Sequence, residues 1–197
     1  MSGLAGAAGR VIAGSARGVR LAAPGERTRP LGDRVKQTLF AILEPALRDA
    51  IVLDLCAGSG AAGIEALSRG AARAVFVERD SDAVAVIRDN LGRANLAGSR
   101  ARLVEADASR YLAGSGPSAD GPFSLVIVDP PYADSALLTR LLEALGSDRA
   151  GRLLAPAALV VAKHFWRDGP AAVIGLLASE RDRRFGETGL TFYRRED

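Results

Sequence analysis

Asp129-Pro130-Pro131-Tyr132, directly after the apolar run Ser124 to Val128, combines the residue types needed to hold a flat ring that carries an amino group. Each proline fixes its own φ and pushes its predecessor out of the α region, so the chain leaves the run on a rigid, non-helical backbone. The Pro130 carbonyl is then free to point into a site. Beside it stand a carboxylate that accepts hydrogen bonds and an aromatic face on which a base can stack. This set matches an exocyclic –NH2. Taken alone, the tetrapeptide also fits a Pro-stiffened loop with Tyr132 as packing, so the weight falls on what precedes it.

Asp54-Leu-Cys-Ala-Gly58-Ser-Gly60-Ala-Ala-Gly63 follows an apolar run and opens a helical pattern, and Gly58, Gly60 and Gly63 satisfy G-x-G-x-x-G. Glu78 lies 18 residues beyond Gly60, at the end of the next apolar run. A glycine turn at a helix N-terminus brings backbone close to a ligand, and an acid after the second strand accepts ribose hydroxyls. Both features serve a nicotinamide cofactor as well as an adenosyl cofactor, so an NAD-dependent oxidoreductase is a rival reading. Against it stand Asp54, a carboxylate placed to accommodate a cationic cofactor, Asp107, placed to accept from an adenine amine, and Asp129 to Tyr132, which hydride transfer does not need. No Lys-Ser/Thr ends the loop, which excludes a phosphate-cradling P-loop.

The elements that must position these residues alternate. Ile51–Leu55, Ala74–Val77, Ala101–Val104, Leu125–Val128 and Ala158–Val161 read as strands, and 61–69, 81–94, 108–112 and 134–145 as helices. Continuously apolar strands between amphipathic helices predict an α/β fold, a mostly parallel sheet covered on both faces, with ligands at the carboxyl ends of its strands. Residues 178–184 and 190–194 predict a closing antiparallel pair, and Gly114 to Pro122 a mobile loop. Ahead of this block, Val11–Ala13 and Val19–Leu21 flank Gly14-Ser-Ala-Arg-Gly18 as a hairpin with a flexible tip. Asp33 is placed to cap a helix that ends near Pro45.

Composition sets the partner. Residues 1–36 carry seven basic residues against Glu26 and Asp33, whereas the remaining 161 residues sum to −2. Charge gathered in a leading segment is the footprint of a polyanion-binding surface, and it assigns phosphate contacts to Arg10, Arg17, Arg20, Arg29, Arg34 and Lys36. One cysteine, Cys56, fits a reducing cytoplasm, no run reaches the length of a membrane span, and no His/Cys/Asp cluster has metal spacing. The single histidine, His164, reads as a strand-end residue. The organisation expected is a flexible N-terminus with a basic RNA-binding hairpin over 1–30 and a catalytic domain over 31–197, as a monomer.

The ordered motifs Asp54 to Gly60, Glu78, Asp107 and Asp129 to Tyr132 resemble those of class I S-adenosylmethionine-dependent amino-methyltransferases, which have a Rossmann-like fold. The leading Arg10-Val-Ile-Ala-Gly, Arg17-Gly, Arg29-Pro and Asp33 to Phe40, with Gly63 to Gly70, narrow this to a resemblance to the RsmD family. These bacterial enzymes act on the N2 amine of a guanine in 16S ribosomal RNA. The resemblance runs from about Arg10 to the C-terminus; the chain departs from the family pattern at Ser15-Ala16, Leu31, Gln37 and Ala41. It implies S-adenosyl-L-methionine as cofactor and S-adenosyl-L-homocysteine as product. Cofactor contacts would come from Asp54, Ala57, Gly58, Ser59, Gly60, Glu78, Asp107 and Ala108, and catalysis from Asp129, Pro130, Pro131 and Tyr132. The implied partner is 16S ribosomal RNA in an assembled or partly assembled 30S subunit. N6-adenine methylation of DNA or RNA, methylation of a protein amide, and a non-catalytic RNA-binding protein are the remaining alternatives.

Overall fold

The structure, a computed structural model, describes residues 7–25, 32–114, 116–148 and 153–196. The chain divides into two compact units, Met1–Ala106 and Asp107–Asp197.

In the first unit, β1 (Ala7–Arg10) and β2 (Arg20–Ala22) form an antiparallel pair, followed by α1 (Asp33–Leu47). Then β3 (Ile51–Leu55), α2 (Ala61–Ser68), β4 (Arg73–Glu78), α3 (Ser81–Arg93) and β5 (Ala101–Glu105) alternate, with the strands parallel in the order β5-β4-β3. The apolar runs of β3 and β4 are buried along almost their whole length, as strands covered on both faces must be. β5 is more exposed and alternates accordingly. The loop-to-helix transition is tight because Gly63, in the first turn of α2, faces β4: a Cβ there would enter the Phe76 ring. α3 begins where Asp80 accepts from the Asp82 and Ala83 N–H groups, a side-chain N-cap.

Two local expectations change and a third holds. Val11 to Ala13 is not a strand; β1 ends at Arg10, and the Ile12 and Ala13 N–H groups donate to Glu65 of α2, at 2.7 and 3.0 Å, instead of to a ladder. Asp33 does not cap α1: Gly32 occupies the N-cap without a side-chain bond, and Asp33 accepts from the Arg10 N–H and pairs with the Arg10 guanidinium at 3.3 Å. α1 does end near Pro45, at Leu47. Within the last turn, the proline forfeits a single helical donor and its fixed φ suits the helix.

In the second unit, α4 (Ala108–Ala113) and α5 (Gly116–Asp120) precede β6 (Phe123–Val128), α6 (Ser135–Gly146), β7 (Leu154–Phe165), β8 (Val173–Ile174), β9 (Leu177–Phe185) and β10 (Thr188–Arg195). The strand order is β6-β7-β10-β9-β8, with β6 and β7 parallel and the remaining neighbours antiparallel. The segment expected as a mobile loop contains α5, anchored by the Tyr111 hydroxyl donating to buried Asp120 at 3.0 Å. β7 starts four residues before the apolar run that marks it, because Ala155 to Ala157 bulge out of register with β6. Pro156 is tolerated at that irregularity, and Ala157 takes φ +54°. Asp134 caps α6 by accepting from Leu137 N–H at 2.9 Å, and the helix buries Leu137, Leu138, Leu141, Leu142 and Leu145. No described helix is long and apolar enough to cross a membrane.

Candidate active site

The first unit carries the glycine loop between β3 and α2. Cys56 and Gly58 have φ of +60° and +56°, and Gly60 caps α2 in the left-handed region at +73°. Chirality makes that conformation costly for Cys56 and free for the glycines. Gly60 has no side chain with which to cap α2, and of the first-turn N–H groups that of Gly63 is taken by the Asp54 carboxylate. Glu78, at the end of β4, holds the loop from the side: one carboxylate oxygen accepts from Gly58 N–H at 2.9 Å, the other from the Arg79 and Asp80 N–H groups at 2.8 and 3.0 Å. Ala57 and Gly58 are half-buried, whereas Ser59 and Gly60 are buried.

Asp54 differs from its expected place. It is 1% exposed and accepts from Gly63 N–H at 2.9 Å, so it braces the loop against α2 instead of lining a ligand site. Asn90, fully buried on α3 and without a role in the sequence reading, donates to the Ser59 carbonyl and exchanges hydrogen bonds with the Ala22 backbone at the end of the hairpin.

The hairpin is docked to the same unit. Glu65 accepts from Ile12, Ala13 and Arg69, while the Ser68 hydroxyl accepts from Ala16 N–H and donates to the Ala13 carbonyl. Gly14 lies so close to α2 that a Cβ would coincide with the Ser68 carbonyl. The turn expected to be a flexible tip is thus held by α2, and Ser15-Ala16 face the helix. Arg10, Arg17, Arg20 and Arg34 are exposed; Arg29 lies outside the described residues. Lys36 is a correction: it is 0% exposed, donates to the Arg10 carbonyl at 2.5 Å and lies 4.0 Å from Asp33. Burial pulls its ammonium below the ordinary lysine range, with Glu65 and Asp33 opposing that shift. Lys36 ties the hairpin to α1 and has no surface with which to grip a phosphate.

In the second unit, Asp107 is half-buried and caps α4, accepting from Arg110 N–H at 3.0 Å, with Ala108 buried behind it. Asp129 follows β6 and receives the Lys163 ammonium of β7 on Oδ1 at 2.5 Å. Burial pushes the Asp129 carboxyl above its ordinary value, and Lys163 pulls it back. The same ammonium lies 4.9 Å from the Tyr132 ring centroid, and the Tyr132 hydroxyl shares a 2.7 Å hydrogen bond with Thr188 Oγ1. Tyr132 is therefore held at its hydroxyl and over one face of its ring. Pro130, Pro131, Tyr132, Lys163 and Phe165 are among the residues that line a shallow, partly open pocket. His164 is buried between the Phe165 carbonyl and Thr191. Lys163 is the member the sequence reading missed. One of two lysines in the chain, it interrupts an apolar strand run, a pattern that signals a buried partner. Among the described residues no cluster of His, Cys, Asp and Glu is placed to hold a metal ion.

Known proteins share this organisation. The family profile described as Conserved hypothetical protein 95 matches residues 9–194. The ribosomal RNA small subunit methyltransferase D of Escherichia coli is 37% identical over 190 residues, spanning 95% of this chain and 90% of that protein. A solved Escherichia coli structure, assigned as a methyltransferase and called yhhF, superimposes with a TM-score of 0.83 at 35% identity, over 97% of this chain and 99% of that one. An RNA methyltransferase from Salinibacter ruber, solved with S-adenosyl-L-homocysteine, shares the fold at a TM-score of 0.61 and 18% identity, over 85% of this chain and 94% of that one. Glycine loop, strand-end acids and Asp-Pro-Pro-Tyr thus sit on a methyltransferase fold, and the chain belongs to the RsmD family.

Proposed function

We propose that this chain transfers a methyl group from S-adenosyl-L-methionine to the exocyclic N2 amine of a guanine in 16S ribosomal RNA, in the cytoplasm, as a monomer acting on an assembled or partly assembled 30S subunit. The observation that carries the reading is Asp129 held as an acceptor beside Pro130 and the immobilised Tyr132 ring. The relative's name supports ribosomal RNA of the small subunit as substrate, and the co-crystallised product of the Salinibacter ruber protein supports the cofactor.

The residues present fit that cofactor. Ala57, Gly58, Ser59 and Gly60 offer close backbone approach at the glycine loop, and Glu78 retains acceptor capacity for ribose hydroxyls. Asp107 and Ala108 are assigned to the adenine. Bound, the cofactor supplies an electrophilic methyl on a sulfonium. The target amine's lone pair is delocalised into the ring, so this chain's task is to make the nitrogen more tetrahedral. Asp129 and the Pro130 carbonyl accept its two N–H bonds, Pro131 stiffens the loop, and Tyr132 stacks the base after it leaves its own stack. No general base need act first, because the N–H becomes acidic once the nitrogen is alkylated.

The reading is tested by incubating the protein with labelled S-adenosylmethionine and unmethylated 30S subunits, then digesting to nucleosides. Label in N2-methylguanosine is the expected result. Label in N6-methyladenosine would replace the target base, and none in the presence of bound cofactor would remove the reaction.

Two variants probe the parts. Lys163→Met removes the charge that lowers the Asp129 carboxyl, so its proton should be held to higher pH than in the native protein. The acid limb of the single-turnover rate should then move to higher pH, while Lys163→Arg should keep it near its native position; coincident profiles would show that Asp129 ionisation is not required. Arg17→Ala with Arg20→Ala removes two exposed cations. RNA affinity should fall and the slope of log K against log salt should lose about 2, with cofactor affinity unchanged.

A further inference from the structure

Beyond Tyr132 the second unit continues as a row of planar groups that neither the glycine loop nor the hairpin accounts for. Phe165, at the end of β7, meets Tyr132 edge-on at 6.5 Å between ring centroids, and Trp166 meets Phe165 at 6.3 Å. Two guanidinium groups then lie over the Trp166 ring, Arg184 at 3.4 Å and Arg167 at 4.8 Å from its centroid. The backbone holds this row in place. Trp166 N–H donates to the Glu187 carbonyl and Asp168 N–H to the Phe165 carbonyl, and Arg184 Nε donates to the Gly186 carbonyl at 2.9 Å.

The row is not sealed. Tyr132, Phe165 and Trp166 are half-buried, and Arg167, Arg181, Arg183 and Arg184 are exposed. Arg181 interacts with Glu180, Arg183 and Arg184 each donate to one backbone carbonyl, and Arg167 lies over the Trp166 ring. A packing cluster would be expected to bury its rings and its cations. Half-exposed aromatic faces interleaved with exposed guanidinium planes instead match the needs of unpaired nucleotides, whose bases stack on rings and on arginine and whose phosphates take the remaining N–H donors. Duplex RNA offers no free base faces and would need only cations.

We propose that Phe165, Trp166, Arg167 and Arg184 form a stacking surface for single-stranded RNA flanking the target nucleotide, running outward from Tyr132. It rests on the reading that Asp129 to Tyr132 hold the target base, and it adds a second RNA contact region, on a different unit from the arginine-bearing hairpin. The chain has two RNA-gripping regions of different kinds: phosphates at the hairpin, base faces here.

Trp166 is the only tryptophan of the chain, so fluorescence excited beyond the tyrosine absorption band reports on this surface alone. The full chain is titrated with an unstructured, dye-labelled RNA of about 12 nucleotides, a length within the site sizes of single-strand binders. Tryptophan fluorescence and dye anisotropy are both followed. Quenching that tracks anisotropy is expected. Arg167→Ala with Arg184→Ala should weaken the affinity roughly tenfold, Trp166→Phe should preserve it and Trp166→Ala should reduce it. The double arginine variant should also raise KM for 30S subunits. Binding seen by anisotropy without quenching, equal quenching by a duplex of the same sequence, or unchanged affinity in the arginine variant would each overturn the surface. The outcome is separable from that of the methylation assay. Label in N2-methylguanosine without quenching would remove this surface alone, whereas quenching without label would leave the surface and remove the guanine reading.

Discussion

Asp129→Ala should lower kcat/KM for methyl transfer about 10²- to 10³-fold, the loss that follows removal of one preorganised group from a developing transition state. The carboxylate accepts most strongly as the amine nitrogen gains positive character, so its contribution is larger in the transition state than in the ground state. Cofactor affinity should be unchanged, because the hydrogen bonds of Gly58, Gly60, Glu78 and Asp107 are made with groups other than Asp129. The variant also leaves the Lys163 ammonium, now 2.5 Å from its partner, buried without a counter-charge, so a lower melting temperature should accompany the loss of rate. Asp129→Asn separates the two effects, since it keeps an acceptor oxygen and the shape but not the charge, and it should fall between native and Ala in rate. Single-turnover transfer at saturating cofactor, with a parallel cofactor-binding titration, checks this. A full rate in the Ala variant would show that the target amine is held elsewhere.

The second large effect is on stability. Glu65→Ala should cost about 3–5 kcal/mol, because it removes a buried carboxylate and strands its partners. Glu65 is 0% exposed and accepts from Ile12 N–H, Ala13 N–H and Arg69 Nε at 2.7, 3.0 and 2.7 Å. Without it, two backbone donors of the hairpin and a guanidinium over the Phe40 ring have lost a shared acceptor. Arg69 keeps Glu44 at 2.6 Å, so the hairpin should suffer more than α1. Hydrogen exchange at residues 12–16 should accelerate before global unfolding, and the urea midpoint should drop. A cost under about 1 kcal/mol, within the range of exposed ion pairs, would mean that Ser68, Asn90, Lys36 and Asp33 hold the hairpin without it. Because Asn90 joins Ala22 to Ser59, a loosened hairpin should also weaken cofactor binding measurably.

These effects divide between what is written locally and what is not. The alternation of apolar runs and amphipathic segments determined the α/β class, the bounds of β3 and α2, and the closing β9–β10 pair. Each depends on periodicity and on turn residues a few positions apart. The order of motifs along the chain, glycine loop, strand-end acids and Asp-Pro-Pro-Tyr, likewise determined which residues stand at strand ends, because a strand's carboxyl end is visible as the place where an apolar run stops.

Only the tertiary structure decided what each charged residue does. Nothing near Lys36 in sequence marks it as buried; its ammonium is enclosed because the Arg10 carbonyl, 26 residues away, crosses above α1. Asp33 gives up its cap for Arg10, Asp54 turns to Gly63, and Glu65 looks like one more helix-face acid until Ile12 and Ala13 arrive. Lys163 reaches Asp129 across 34 residues because β6 and β7 run in parallel. The physical reason is common to all of them. Periodicity records which face of an element is apolar, but the partner of a buried charge is chosen by whichever distant backbone or side chain the fold brings within hydrogen-bond reach, since a buried charge left alone is too costly to keep.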